Sequence, residues 1–155
     1  VDTPQTLYDY PCNQFVAGFI GSPQMNFVDA KCKVVGNKVY LVAGPSEIEL
    51  PPAKAKKMID GGYEGKTVVL GIRPEDVHDE QMFIETSPNT VIEAKIRVYE
   101  MLGAEVFLYF DVNGTQVTAR VDPRTTAKTG DPIKFAFDME KSHFFDKETE
   151  LTICN

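Results

Sequence analysis

The stretch "EVFLYFDVNGTQVTARV", residues 105–121, constrains the fold of this chain more than any other. Two runs of β-branched and aromatic residues flank Asn113-Gly114, a dipeptide that favours the positive φ angles of a type I′ hairpin turn. Similar runs bounded by Gly, Asn or Pro occur at 26–35, 38–42, 47–50, 67–72, 82–86, 91–100, 133–137 and 151–153. Many short strands with regular turns and little helix predict a closed or nearly closed antiparallel β-barrel.

Three short helices are predicted beside the strands. Thr3-Pro4 fits the N-cap and first position of a helix that ends near Tyr10-Pro11. A second helix follows Asn13 and ends at Ser22-Pro23, and its apolar face consists of Phe15, Val16, Phe19 and Ile20. A third covers "AKAKKMID", residues 53–60. The first two are too short to be stable alone, so they need a packing partner, which need not belong to this chain.

Composition excludes several classes of function. The chain has 155 residues, of which 43% are hydrophobic and 25% charged, as in an ordinary globular domain. Its longest apolar runs are far shorter than the ~20 residues that span a bilayer. A formal net charge of −7 disfavours nucleic-acid binding, because an acidic surface repels phosphates. The three cysteines, Cys12, Cys32 and Cys154, lie far apart, so we expect reduced cytosolic thiols and no zinc site.

The segment "GGYEGKT", residues 61–67, looks like the end of a phosphate-binding P-loop. A P-loop places its first glycine five residues before the Gly-Lys-Ser/Thr glycine, and that position holds Asp60. The order of elements is also reversed, because a predicted helix precedes the segment and a predicted strand follows it. We therefore interpret it as a turn between helix and strand.

The segment "RPEDVHDE", residues 73–80, gathers four carboxylates around His78. A paired-carboxylate catalyst or a calcium site can be built from such residues, but the spacing of a calcium-binding loop is missing. More simply, Pro74 starts a helical turn, with Glu75 and Asp76 at its positive end. No residue is therefore assigned a catalytic, cofactor-binding or metal-binding role.

Four stretches in order carry a resemblance to a known family: "TLYDYPCNQFVAGFIGSPQMNF" (6–27), "GKTVVLGIRPEDV" (65–77), "IRVYEMLGAEVFLYF" (96–110) and "ARVDPRTTAKTGDPIKFAFDMEKSHFFD" (119–146). Together they resemble the C-terminal region of the ATP-binding subunits of bacterial sugar importers, the maltose-type (MalK-like, UgpC-like) ABC transporter ATPases. The resemblance implies a mainly β fold, an OB-type antiparallel β-barrel regulatory (TOBE) domain at 25–155. Residues 1–24 would be the helical tail of a missing ATPase domain plus a linker, and the absence of an initiator Met before Val1 suits a fragment or a processed product.

The resemblance implies a non-catalytic regulatory and dimerisation domain in a carbohydrate importer. The implied partners are a second copy of the subunit, the ATPase domain in cis, the membrane permease subunits through that domain and, in some members, a regulatory protein; nucleic acid is not expected. ATP and Mg²⁺ would bind the missing ATPase domain, so this chain is expected to be neither an enzyme nor a cofactor-binding protein. The implied location is cytoplasmic, peripheral at the inner face of the cell membrane.

The family motifs also supply candidate interface residues, namely Arg73, Pro74, Glu75, Leu102, Gly103, Glu105, His143 and Phe144. For the first six, a turn or core role is favoured over direct partner contact, and Gly103 would permit a bend or bulge. His143 and Phe144 either pack across the dimer or cap the barrel.

An alternative function is a barrel that binds a small ligand, an oxyanion or a sugar. Six Tyr and ten Phe favour it, whereas the net charge of −7 and the absence of Trp count against it.

Overall fold

A computed structural model describes residues 3–19, 24–125 and 127–155. The helices are α1 (Pro4–Asp9), α2 (Gln14–Phe19), α3 (Pro52–Asp60) and α4 (Gln81–Thr86). The strands are β1 (Asn26–Val35), β2 (Lys38–Ala43), β3 (Ser46–Glu49), β4 (Thr67–Ile72), β5 (Val77–His78), β6 (Val91–Leu102), β7 (Glu105–Val112), β8 (Thr115–Val121), β9 (Pro132–Phe137), β10 (His143–Asp146) and β11 (Thr152–Cys154). Short 3₁₀ turns cover Pro74–Asp76, Pro88–Thr90 and Met139–Lys141. The prediction of a mainly β fold with short helices is confirmed.

The strands of the described residues form two antiparallel sheets. One has the order β11-β10-β4-β1-β2-β3 and the other the order β5-β9-β6-β7-β8. The two sheets share one core, in which the fully buried rings of Phe110 and Phe135 stack with centroids 4.0 Å apart. Buried Asn26 joins the sheets, because its side-chain amide donates to the Thr118 carbonyl oxygen (2.8 Å) and accepts from the Thr118 N–H (2.9 Å).

The Asn113-Gly114 hairpin forms as predicted. Val112 at the end of β7 pairs with Thr115 at the start of β8, which leaves a loop of two residues. Asn113 has φ 51° and Gly114 has φ 81°. Positive φ at both central positions is the requirement of a type I′ turn, and Asn followed by Gly meets it at the lowest steric cost.

Residues 61–67 connect α3 to β4, as the interpretation of a turn requires. The Gly61 N–H donates to the Lys57 carbonyl oxygen (3.0 Å) and closes α3. The Gly65 N–H donates to the Cys32 carbonyl oxygen (2.8 Å), so it is engaged with β1. Gly62 and Gly65 have φ 74° and 75°, which explains why glycines stand at these positions.

The prediction of a strand at 82–86 is wrong, because these residues lie in helix α4. Three consecutive apolar residues in so short a segment carry no periodicity that separates strand from helix. The helical turn brings the Gln81 side-chain amide within 3.0 Å of a Glu85 carboxylate oxygen, an i,i+4 contact. Phe83 stacks on His78 with centroids 4.1 Å apart, and this contact fixes the helix against β5.

The two N-terminal helices begin at their predicted caps. Thr3 Oγ1 accepts a hydrogen bond from the Thr6 N–H (3.2 Å), and Asn13 Oδ1 accepts one from the Val16 N–H (2.8 Å). The end predicted at Ser22-Pro23 and the position of Ile20 lie outside the described residues. No helix in the described part of the chain is long and apolar enough to cross a membrane.

Helix α2 finds part of its packing partner within this chain. Ala17 is fully buried in a small cluster with Met25, Val69 and Phe145, which come from the chain before β1, from β4 and from β10. In contrast, Phe15 is 73% exposed. The helix is therefore docked on the first sheet through the side that carries Ala17.

Candidate functional site

Arg73 follows β4 and connects the first sheet to helix α1. Its guanidinium carbon lies 3.7 Å from the centroid of the Tyr8 ring, and its Nη2 donates to the Tyr8 carbonyl oxygen at 3.0 Å. Arg73 is only 2% exposed. A buried guanidinium stacked on an aromatic face is held by geometry that lysine does not reproduce. Among the described residues, this candidate therefore contacts the N-terminal helix of its own chain.

Pro74 and Glu75 extend the same contact. Pro74 is buried and starts the 3₁₀ turn, which agrees with its predicted local role. The Glu75 carboxylate accepts a hydrogen bond from the Tyr8 hydroxyl. Burial and this hydrogen bond raise the pKa of Tyr8 to about 12. Residues 73–75 thus hold α1 at two points of Tyr8: Arg73 binds its backbone carbonyl oxygen, and Glu75 binds its side-chain hydroxyl.

Strand β10 places His143 beside this group. His143 pairs with Gly71 in β4, two positions before Arg73. Its Nδ1 donates to Asn155 Oδ1 at 2.9 Å. His143 is 6% exposed, and burial lowers its pKa to about 4 although the Asn155 hydrogen bond opposes the change. The imidazole is therefore neutral at physiological pH.

Phe144 lies inside the core rather than on a surface. It is fully buried and pairs with Leu70 in β4. The Lys54 ammonium lies 6.0 Å from the centroid of the Phe144 ring, and it donates to the Ser142 carbonyl oxygen. Burial lowers the pKa of Lys54. Helix α3 is thereby attached to the turn that precedes β10.

A cleft of about 400 Å³ opens next to His143 and Arg73. Its charged lining consists of Arg73, Lys141, Asp9, Glu75, Asp76 and Glu140. Four carboxylates thus face two basic side chains. Burial, with a smaller contribution from Glu75, raises the pKa of Asp76 to about 6. An anion entering this cleft meets more repulsion than attraction, which counts against an oxyanion site.

The remaining candidates lie at the β6–β7 hairpin tip, which we define as residues 98–105. Leu102 pairs with Glu105 across a two-residue loop, and Gly103 has φ 61°, so glycine serves the hairpin turn. Glu105 lies 3.8 Å from Arg120. Leu102 and Met101 are 54% and 57% exposed, on opposite faces of β6. The hairpin tip is therefore an exposed apolar feature.

Sequence reasoning missed Tyr8 and Asn155, the partners of Arg73 and His143. Neither belongs to a motif of known chemistry, and they lie 65 and 12 residues from their partners along the chain, so no local signal identifies them. Sequence reasoning considered Asp76 and His78 as possible ion ligands but missed Asp138, which completes a group that could hold a metal ion, with one ligand atom of each residue within 4.8 Å of the others. The earlier assignment of no metal ligand relied on spacing along the sequence, and it stays a prediction.

Comparison with known domains identifies the class of protein. Residues 21–77 match the MalK OB fold domain, and residues 86–144 match the TOBE domain. The chain is thus an OB fold of the MalK type followed by a TOBE domain.

Among solved structures, the chain is similar to the cytoplasmic molybdate-binding protein ModG, with a TM-score of 0.54 and 13% identity. The similarity covers 81% of this chain and 96% of the ModG chain. This similarity shows the fold alone.

Three relatives show the family. The chain is 44% identical to the oligosaccharides import ATP-binding protein MsmX of Bacillus subtilis and 40% identical to the multiple sugar-binding transport ATP-binding protein MsmK of Streptococcus mutans. It is 36% identical to the trehalose/maltose import ATP-binding protein MalK of Thermococcus litoralis. Each alignment covers 99% of this chain but only 40–41% of the relative, about two fifths of its length. The chain belongs to the MalK/MsmX-type family and aligns with its C-terminal region, as the resemblance implied.

Proposed function

We propose that this chain is the non-catalytic regulatory and dimerisation region of the ATP-binding subunit of a bacterial ABC transporter that imports carbohydrate. The observation that carries the proposal is the identity of 36–44% to three sugar-import ATP-binding proteins over 99% of the chain. In this proposal the rest of the subunit binds ATP and Mg²⁺ and hydrolyses ATP. The chain itself needs neither and turns over no nucleotide.

Two surfaces support the proposed partners. The hairpin tip offers exposed apolar side chains to a second copy of the subunit, since such side chains are enriched where interfaces form. Tyr10 and Leu151, 66% and 58% exposed, lie beside α1 and α2, where the ATPase domain would join in cis. That domain would contact the membrane permease subunits, and the subunit would then lie in the cytoplasm at the inner face of the membrane. A regulatory protein would bind the same region in some transporters.

A chimera tests the proposal. In Bacillus subtilis MsmX, the region aligned with this chain is replaced by the chain, and uptake of a labelled oligosaccharide is measured in cells that lack native MsmX. We expect uptake comparable to that of cells complemented with intact MsmX. A matched control carries MsmX truncated at the same junction, which should support less uptake. If the chimera accumulates and assembles with its permease but gives no more uptake than the truncation, the proposed function is wrong.

Two measurements on the isolated chain separate the proposal from the alternative. We expect no Mg²⁺-dependent ATP hydrolysis above a heat-denatured control. We also expect no heat of binding with molybdate, sulfate or maltose in calorimetry, because the carboxylate-rich cleft repels anions and the chain offers no Trp as a stacking platform. Saturable binding of one ligand per chain would favour a small-ligand barrel instead.

A further inference from the structure

We propose that Asp76, His78 and Asp138 bind one divalent transition-metal ion, represented here by Mn²⁺ or Zn²⁺. One ligand atom from each side chain lies within 4.8 Å of the other two. A shared ion about 2.0–2.2 Å from each ligand allows ligand atoms to stand up to about 4.4 Å apart, so small side-chain rotations suffice. A histidine nitrogen with two carboxylates favours a first-row transition metal over Mg²⁺ or Ca²⁺, which prefer oxygen ligands alone.

The His78 imidazole is held by two neighbouring side chains. His78 Nδ1 lies 3.0 Å from a Glu80 carboxylate oxygen, which holds the proton on that nitrogen. The ring also stacks on Phe83, with centroids 4.1 Å apart, so its plane is fixed. With the proton on Nδ1, the lone pair is on Nε2, which would be the nitrogen that binds the ion. A carboxylate behind the imidazole is the arrangement that orients most metal-binding histidines.

Of the two carboxylates, Asp76 is buried and Asp138 is half-buried. Asp76 is 7% exposed, and among the described residues its carboxylate interacts with neighbouring charges rather than with hydrogen-bond donors. The Lys141 ammonium lies 3.9 Å away on a side chain that is 67% exposed, a weak ion pair. Within the described part of the chain, the Asp138 carboxylate likewise accepts no hydrogen bond. Two neighbouring carboxylates repel each other when both are ionised, and a proton or a cation between them relieves that repulsion. A divalent ion satisfies both.

The backbone holds the three residues on one rigid frame. The Asp138 N–H donates to the Asp76 carbonyl oxygen at 2.9 Å, and His78 pairs with Ala136 across β5 and β9. Asp76 lies in the segment that matches the MalK OB fold domain, and Asp138 lies in the segment that matches the TOBE domain. A bound ion would therefore fasten the two matched segments to each other. This inference does not depend on the proposed transport function.

Calorimetry on the metal-stripped chain tests the site. The background carries Cys12→Ser, because that thiol is exposed and could bind Zn²⁺ itself. With MnCl₂ or ZnCl₂ we expect one ion per chain, and with MgCl₂ much weaker binding. His78→Gln and Asp138→Asn should abolish binding, and Glu80→Gln should weaken it about 10–100-fold by releasing the imidazole. Glu93→Gln, a change of an exposed carboxylate on β6, is the matched control and should bind as the parent does.

A melting experiment keeps the test independent of folding defects. Without metal, Asp138→Asn should melt at a higher temperature than the parent, because it removes a like charge beside Asp76. With excess Zn²⁺, the parent should gain thermal stability and the variant should gain none. The proposal is overturned if neither metal binds at millimolar concentration. It is equally overturned if stoichiometric binding persists in His78→Gln and Asp138→Asn.

Discussion

His143 should make the stability of this chain sensitive to acid. Burial lowers its pKa from the ordinary 6.5 to about 4, and the charges of Lys54 and Arg73 act in the same direction. The Asn155 hydrogen bond and the Asp9 charge act against the change. The unfolded chain therefore binds this proton more tightly than the folded chain. The contribution of His143 to stability is complete above pH 6.5 and is lost as the pH falls from 6.5 through about 4.

The size of the effect follows from the two pKa values. The gap between 6.5 and about 4 corresponds to about 3 kcal/mol in the free energy of unfolding, since one pH unit is worth about 1.4 kcal/mol. Of this, about 2.5 kcal/mol should already be lost at pH 4.5 relative to pH 7.5. Carboxylates titrate in the same range, so the histidine has to be isolated by a variant.

His143→Gln supplies that comparison, because the glutamine amide can still donate to Asn155 and cannot titrate. Urea unfolding, followed by circular dichroism with EDTA present, gives the free energy of unfolding of both chains at pH 7.5 and pH 4.5. We expect the difference between parent and variant to move by about 2.5 kcal/mol in favour of the variant at the lower pH. Asn155→Asp should raise the pKa of His143. The free energy of unfolding of that variant should therefore fall less between pH 7.5 and pH 4.5 than the parent's does. A difference that stays the same at both pH values would refute the reasoning.

Three further substitutions probe the other contacts. Arg73→Lys removes the guanidinium stack on the Tyr8 ring and should weaken the attachment of α1. Amide hydrogen exchange should then be at least several-fold faster in α1 and unchanged elsewhere. Unchanged exchange in α1 would contradict this. Asn26→Ala leaves the Thr118 N–H and carbonyl oxygen without their partners and should lower the free energy of unfolding in urea by about 2–4 kcal/mol. A much smaller loss would mean that both groups bind water instead. Leu102→Glu should weaken self-association about tenfold or more in analytical ultracentrifugation, whereas the equally exposed control Val35→Glu should not.

The parts of the fold that the sequence predicts well are those with local chemistry. The Asn113-Gly114 hairpin and the caps Thr3 and Asn13 depend on a few adjacent residues, and each forms as expected. Helix α4 was mispredicted because its side chains do not decide between helix and strand. In the structure α4 packs against β9, a tertiary contact that the local pattern does not show.

The site was harder to predict than the fold, for the same physical reason. Family motifs pointed to Arg73 and His143 separately, and nothing local suggests that they lie side by side. Strand β10 brings them together, and it was not predicted because "HFFD" is short and its partner β4 is far away along the chain. Asp138 illustrates the limit most clearly, since only the β5–β9 pairing carries it to Asp76 and His78.

The order of strands shows why the two matched segments cannot be treated as separable domains. The segment that matches the MalK OB fold domain ends at residue 77, yet the first sheet is extended by β10 and β11 from the end of the chain. Without β10, strand β4 would present an open apolar edge, and Phe144 and Phe145 would leave the core. β4 leads directly to Arg73, which holds α1, so the C-terminal strands support the attachment of the N-terminal helix. Any partner that displaces the end of the chain must therefore also disturb the contact with the helices where an ATPase domain would join.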